Sequence, residues 1–286
     1  MLKIVVTGGD GQLGRAIAMM SRNSMNSYML TTRYRLDICS REQVEEYLNN
    51  NDIDILINCA AYTNVEGAES DEVGAMLVNA EGGAILAEAC QRHDIQLIHI
   101  STDYVFGGDG MRKTPYREDD ATAPLNIYGK SKAMGEDMAL NNGGIVIRTA
   151  WLYSPWCKNF LLTILRIAKE KALIEVVDDQ RGTPTSAISL ARAITTIIDS
   201  GEYADMKGIY HYTDKGEATW CDFATEIVAQ AGITTCKVVS CKSHDRGLKA
   251  QRPAYSVLSN RRIDDIGITR HTWHEELKRV MEIINE

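Results

Sequence analysis

The sequence predicts an α/β fold, a doubly wound parallel sheet with a smaller C-terminal region packed over its strand ends. Three observations carry this. Short apolar, β-branched runs alternate with longer helical stretches as far as residue 151. The first run opens directly onto a glycine-rich turn, "TGGDGQLGR" at 7–15. Beyond Trp151 the rhythm breaks into shorter elements, with no linker rich in Pro, Gly or Ser. Alternation of this kind buries a parallel sheet between two helical layers.

The elements follow in order. "KIVVTG" (3–8) reads as a strand and Gly11 to about Met20 as a helix. "YMLTT" (28–32) is a second strand. "SREQVEEYLNN" (40–50) begins with a capping Ser40 and has Gln43 three residues on, the pattern of a capping box. "DILINCAA" (54–61) is a third strand, and an amphipathic helix covers about 71–92. "IQLIHIST" (95–102) is the fourth strand, "YGKSKAMGEDMAL" (128–140) a helix and "GIVIRTAW" (144–151) the fifth strand. Helical "NFLLTILRIAKEKA" (159–172) follows, then "LIEVVDDQRGTPTS" (173–186), a helix to about Ile198 and a last amphipathic helix from Trp273.

Composition excludes several classes. With 286 residues, a net charge of −8 and no long basic run, the chain is not built for nucleic acid. The N-terminal apolar run is about five residues long, too short for a signal peptide or a membrane span. Seven scattered cysteines, an odd number without a C-x-x-C pair, read as reduced thiols of a cytoplasmic protein. Cys236, Cys241 and His244, with His271 and His274 further on, match no common zinc spacing, so no metal is expected.

The turn carries Gly8-x-x-Gly11-x-x-Gly14 between a strand and a helix. That context suits a dinucleotide pyrophosphate, which needs a tight turn, close backbone approach and the free N–H groups of a helix N-terminus. The glycine turn makes the sheet Rossmann-type. Residues 1–151, with a return segment near 186–213, are expected to form the dinucleotide-binding part, and 152–286 mainly the substrate-binding part. After the second strand comes "TTRYRLD" (31–37). Thr32, Arg33 and Arg35 offer donors where a 2′-phosphate would lie, and the first acid, Asp37, comes late, which favours NADP(H) with NAD(H) as the other candidate. Asp37 and Ile38 are placed to cover the adenine.

Ligands of such sheets bind beyond the carboxyl ends of the strands. "STDYVF" (101–106) ends the fourth strand there and brings Thr102, Asp103 and Tyr104. Tyr128 and Lys132 follow at i and i+4 on one helix face. A tyrosine there can protonate a ketone oxygen as hydride arrives, and a neighbouring ammonium is expected to lower its pKa. A second Tyr-x-x-x-Lys pair, Tyr203 and Lys207, lies between glycines Gly201 and Gly208 and reads as a surface loop.

Taken together, "TGGDGQLG", "NCAAYTNVEGAE" (58–69), "STDYVF", "PLNIYGKSKAMGE" (124–136), "RTAWLY" (148–153), "DDQRGTPTS" (178–186) and "RPAYSVLS" (252–259) resemble the dTDP-4-dehydrorhamnose reductases, extended short-chain dehydrogenases, over nearly the whole chain. The resemblance implies NAD(P)H-dependent reduction of the C4 ketone of dTDP-4-dehydro-L-rhamnose, in the biosynthesis of dTDP-rhamnose and cell-surface polysaccharide. It implies Thr102, Tyr128 and Lys132 as the catalytic trio. Gly8, Gly11, Gln12 and Leu13 would meet the pyrophosphate; Asp37 and Ile38 the adenine; Ala60, Ala61, Tyr62 and Asn79 the nicotinamide side. Asp103, Tyr104 and Trp151 would surround the sugar, and Asn159 and Arg252 would hold the diphosphate. Some members of the group dimerise through a metal held by glutamates. The residues beside the turn here are Arg15 and Ala16, so a homodimer, if formed, is expected without that metal. The alternatives are a reductase or epimerase of another nucleotide sugar, and a partner protein like the regulatory β subunit of methionine adenosyltransferase.

Overall fold

A computed structural model describes residues 1–110 and 112–286. Its centre is a six-stranded sheet of β1 (Lys3–Thr7), β2 (Ser27–Leu30), β3 (Ile55–Asn58), β4 (Gln96–Thr102), β5 (Ile145–Thr149) and, from later in the chain, β10 (Gly208–His211). The order is β2-β1-β3-β4-β5-β10, and every pairing is parallel. Ile4, Val5 and Val6 in β1 and Ile55, Leu56 and Ile57 in β3 are fully buried. Strands covered on both faces read as unbroken apolar runs, which is why these two do.

Alternate residues feed two cores. Ile4, Val6, Ile57, Ile98 and Ile147 face a layer containing α1 (Gln12–Met20). Val5, Leu56, Leu97 and Val146 face α2 (Arg41–Asn49), α5 (Gly82–Arg92) and α6 (Ile127–Asn141). Before α5 comes the short α4 (Glu72–Met76). A single turn, α3 (Val65–Ala68), precedes α4. The helix expected over 71–92 is α4 and α5 (Gly82–Arg92) joined through a π turn at Leu77–Glu81. Among the described residues this stretch is the one helix long and apolar enough by composition to cross a membrane, and half of that window is buried inside the protein.

After β5 the chain forms β6 (Leu152–Tyr153), α7 (Phe160–Glu170), β7 (Leu173–Val177), β8 (Arg181–Gly182) and β9 (Thr185–Ser186). α8 (Ala187–Ser200) then returns to pack on α1 and leads into β10. β11 (Ala218–Thr219), α9 (Trp220–Gln230), β12 (Lys237–Cys241), α10 (Arg261–Asp265) and α11 (Trp273–Asn285) complete the chain, with β12 parallel to β7. Thr219 with Asp222 and Thr272 with Glu275 form full capping boxes for α9 and α11. The box expected at α2 is half formed: the Gln43 backbone N–H donates to Ser40, but the Gln43 side chain accepts from the Asp37 N–H instead.

α6 is anchored to the sheet by a buried ion pair. Arg148 of β5 donates to both Glu136 oxygens, at 2.9 and 2.6 Å, and both side chains are 2% exposed. The Arg148 guanidinium also lies over the Phe106 ring.

Candidate active site

A cleft of about 780 Å³ opens at the carboxyl ends of β1, β3, β4 and β5. That is where a parallel sheet offers free strand ends and helix N-termini to a ligand. On one side is the glycine turn. Gly8 has φ +63° and lies against the Ala60 backbone, where an added Cβ would stand 2.8 Å from the Ala60 nitrogen. At Gly14 a Cβ would stand 2.5 Å from the Gly8 carbonyl, so the turn and α1 touch backbone to backbone. Gly11 caps α1 without a side-chain bond, and its first turn holds no acid. The first N–H groups of α1 are therefore available to an anion. A Cβ at Gly11 would meet only the Gly8 carbonyl, at 3.2 Å, so this space fits a dinucleotide pyrophosphate. Gln12 braces the turn, accepting from the Ser154 hydroxyl at 2.9 Å.

At the far end of the cleft Arg33 donates to Asp37 at 3.1 Å, and the Cys39 N–H donates to the other Asp37 oxygen. Burial pulls the Asp37 carboxyl up, but the Cys39 N–H and Arg33 hold it below its ordinary value. Arg33 itself is exposed at the rim.

The other side of the cleft belongs to β4 and α6. Asn126 caps α6 by accepting from the Gly129 N–H at 2.8 Å, and donates to the Gln251 carbonyl. Tyr128 and Lys132 then stand one turn apart and both line the cleft. Lys132 Nζ donates to the Ile100 carbonyl at 2.6 Å and lies 3.5 Å from His99 Nε2. Burial lowers Lys132 to about 8, against the pull of Glu136 one turn on. Burial raises Tyr128 to about 12, against a hydrogen bond with Thr102. The lowering of Tyr128 expected from its lysine neighbour is thus absent, because desolvation dominates and the lysine head is turned onto Ile100. Tyr128 keeps its proton through the neutral range, the form a proton donor needs.

Thr102 Oγ1 accepts from the Tyr104 N–H at 3.2 Å and donates to Asp103 at 3.1 Å. Ser256, from the distant 252–259 segment, donates to the second Asp103 oxygen at 2.5 Å. Burial raises Asp103 to about 7, offset by Ser256 and Thr102. Tyr104 presents its ring edge-on to Tyr128. Opposite them Trp151, at φ +47°, stacks flat on Trp220.

Of the residues singled out in the sequence, Gly8, Gly11, Gln12, Leu13, Arg33, Asp37, Ile38, Ala60, Ala61, Tyr62, Thr102, Asp103, Tyr104, Tyr128, Lys132, Trp151 and Asn159 line this cleft. Thr32, Arg35, Asn79 and Arg252 stand outside its wall. Asn79, in the π turn, is 2% exposed and brackets Tyr62 by accepting from its N–H and donating to its carbonyl. Arg252 is turned onto the Glu66 carboxylate and the Ala250 carbonyl. Asn159 reaches the wall, but its side chain caps α7 and donates to the Ser154 carbonyl. Tyr203 lies in a short turn, Glu202–Ala204, beyond α8 and just before the start of β10. That is the edge of the sheet where strands begin, away from the cleft. Trp220, Ser101 and Thr149 line the cleft without having been singled out. Trp220 joins it only by folding back from α9, which no local pattern announces. Among the described residues no three His, Cys, Asp or Glu side chains gather as a metal site, and all seven cysteines are free.

Comparison with known proteins agrees with this geometry. The family model of the RmlD substrate binding domain matches residues 2–285. The spore coat polysaccharide biosynthesis protein SpsK of Bacillus subtilis is 36% identical over 99% of this chain and 98% of its own. The dTDP-4-dehydrorhamnose reductase of Mycolicibacterium smegmatis is 39% identical over 96% of this chain and 84% of its own. The crystal structure of the Bacillus anthracis dTDP-4-dehydrorhamnose reductase in complex with NADP superposes with a TM-score of 0.92 at 33% identity, covering 99% of each chain. A Rossmann-type sheet, an uncapped glycine turn and a Tyr–Lys helix face thus coincide with near full-length similarity, and the chain belongs to the RmlD substrate binding domain family, in the group of the dTDP-4-dehydrorhamnose reductases.

Proposed function

We propose that the chain reduces the C4 ketone of dTDP-4-dehydro-L-rhamnose to dTDP-L-rhamnose, supplying cell-surface polysaccharide synthesis. The observation that carries this is the convergence of Thr102, Tyr128 and Lys132 on one cleft with the uncapped N-terminus of α1. The nicotinamide dinucleotide supplies hydride when bound. The N–H groups at Gln12 and Leu13 and the open space over Gly11 hold its pyrophosphate. Asp37 and Ile38 flank the adenine, and Arg33, with Thr32 behind it, favours NADP(H) over NAD(H) by offering a guanidinium to a 2′-phosphate. Ala60, Ala61 and Tyr62 form the wall beside the nicotinamide, and Asn79 fixes Tyr62 from behind.

Tyr128 gives its proton to the ketone oxygen as charge develops there. Thr102, whose hydroxyl donates to Asp103 in this structure, turns that proton to the same oxygen. Lys132 sits below, close enough to its pKa to take part in returning the proton to Tyr128. Asp103, Tyr104 and Trp151 shape the sugar site, and Asn159 and Arg252 border the route of the diphosphate. Residues 1–151 with the return segment 186–213 act as the cofactor-binding part, and the rest of 152–286 mainly binds the nucleotide sugar. We place the protein in the cytoplasm, where reduced cofactor and free thiols coexist, with a homodimer as its assembly.

The test follows NADPH and NADH oxidation with dTDP-4-dehydro-L-rhamnose and identifies the product sugar. Turnover yielding dTDP-L-rhamnose supports the reading. No oxidation with either cofactor, in a protein that binds the cofactor, overturns it in favour of a partner-protein role.

A further inference from the structure

A row of buried polar groups runs beneath the cleft, across three adjacent strands. Thr7 ends β1, Asn58 ends β3, His99 lies within β4, and Lys132 comes down on them from α6. All four are at most 3% exposed. Asn58 Oδ1 accepts from the Thr7 hydroxyl at 2.7 Å and from the Ala60 backbone N–H at 3.2 Å. Asn58 Nδ2 lies 3.2 Å from His99 Nδ1, and His99 Nε2 lies 3.5 Å from Lys132 Nζ.

The direction of this row is set where it meets the Ala60 N–H, an obligate donor shared between Asn58 Oδ1 at 3.2 Å and Thr7 Oγ1 at 3.3 Å. Oxygen is the Asn58 atom that suits this contact, because the reversed amide would bring two N–H groups to 3.2 Å and leave the Ala60 N–H to Thr7 alone. Asn58 Nδ2 must then donate to His99 Nδ1, which makes Nδ1 an acceptor. A neutral imidazole with Nδ1 as acceptor carries its proton on Nε2. The ring is neutral, because burial, and then the Lys132 charge, hold His99 well below its ordinary value.

We infer that His99 is a positioning residue for Lys132: fixed by Asn58 as the Nε2–H tautomer, it turns a donor toward the lysine head and so directs the lysine's protons to the Ile100 carbonyl and the cleft. The inference rests on Tyr128 and Lys132 being the working pair. An N–H aimed at an ammonium disfavours the charged form and accommodates the neutral amine. His99 thus acts in the same direction as burial, keeping Lys132 poised near neutrality. The other groups facing Lys132 are Tyr128 and Glu136 on α6 and Cys59 after β3. Glu136 pulls the other way, but its carboxylate is shared with Arg148.

The test is spectroscopic and needs no turnover. Side-chain 15N spectra of histidine-labelled protein, with His99 assigned through His99→Gln, should show a neutral Nε2–H ring that does not titrate between pH 6 and 8. In Asn58→Asp a carboxylate oxygen faces Nδ1, and the ring should change to the Nδ1–H form. The Lys132 midpoint, read from its 13Cε shift, should then rise by about one pH unit. An Nδ1–H ring in the unaltered protein overturns the inference, as does an unchanged tautomer or an unchanged Lys132 midpoint in a folded Asn58→Asp. Loss of turnover with the Nε2–H ring intact would count against the reductase reading alone.

Discussion

The Trp151 ring lies flat on the Trp220 ring, with centroids 3.6 Å apart and planes within 6° of parallel. Gly182 supports Trp151 from β8, where an added Cβ would stand 2.5 Å from the Trp151 ring. Gly182→Ala therefore displaces Trp151 from its place in the cleft wall. The expected result is a rise of about tenfold or more in KM for the nucleotide sugar, with cofactor affinity unchanged. Trp220→Ala removes a stack worth about 0.5–1.5 kcal/mol and should act in the same direction, more weakly. Steady-state kinetics beside cofactor titrations measure both.

The two Tyr-x-x-x-Lys pairs make opposite predictions. Tyr128→Phe should lower kcat by about 10²–10⁴-fold, the range for loss of a positioned proton donor. Tyr203→Phe, at the opposite edge of the sheet, should leave kcat and KM unchanged. Equal behaviour of the two variants would mean that the proton comes from elsewhere.

Arg33 is held by Asp37 at the rim of the cleft. If Arg33 takes the proposed 2′-phosphate contact, Arg33→Ala removes a charge-assisted bond, and the dissociation constant for NADPH should rise about ten- to a hundredfold. NADH has no such phosphate, so its constant should stay put. Fluorescence of the bound reduced cofactors reads both.

Two buried carboxyls give the stability a signed pH dependence. Burial raises Asp103 to about 7 and Asp214 to about 8, from 3.8. Asp214 accepts from the Ser186 N–H and the Ser189 hydroxyl at the start of α8. Below about pH 4 these groups are protonated in the folded and unfolded chain alike, and their full contribution is present. As pH rises to 7–8 the unfolded chain ionises first, so that contribution is lost. The unfolding free energy of Asp214→Asn minus that of the unaltered protein should therefore rise steadily between about pH 4 and 8, the variant becoming relatively more stable. Denaturant melts across that range test it, and a flat difference would refute it.

Glu136→Gln leaves Arg148 as a buried charge without a counter-charge, beside the Phe106 ring and the His211 contact. The expected cost is about 3–5 kcal/mol, seen as an earlier denaturant midpoint. Arg148→Met with Glu136→Gln should recover part of it, because neither side then carries a buried charge.

Much of the sheet was legible because its strands obey local rules. Ile4–Val6 and Ile55–Ile57 are apolar without interruption, and a glycine turn directly after the first strand has few other uses. The π turn was not legible: Leu77–Glu81 keeps an apolar helical pattern while adding one residue to the turn, and that residue shift sets Asn79 against Tyr62. Asn159 and Arg252 show a different limit. Their chemistry suits a diphosphate, but a sequence cannot reveal that the Asn159 amide caps its own helix or that Arg252 faces Glu66. Lys132 shows a third, since burial lowers its pKa and its head is turned onto the Ile100 carbonyl, neither of which a four-residue spacing encodes.

The close seating of α6 has a consequence for how such a protein can change. A methyl group at Gly129 would run into the Tyr104 carbonyl, and one at Gly135 into the Asn79 carbonyl. The helix bearing Tyr128 and Lys132 is thus gauged against neighbouring main chain rather than against side chains. Substitutions at Trp151 or Trp220, neither of which stacks on Tyr128, can remodel the proposed sugar pocket while Tyr128 and Lys132 stay in place. Under the proposed roles, substrate range and chemical step rest on separate supports, so the pocket can vary without moving the Tyr128–Lys132 pair.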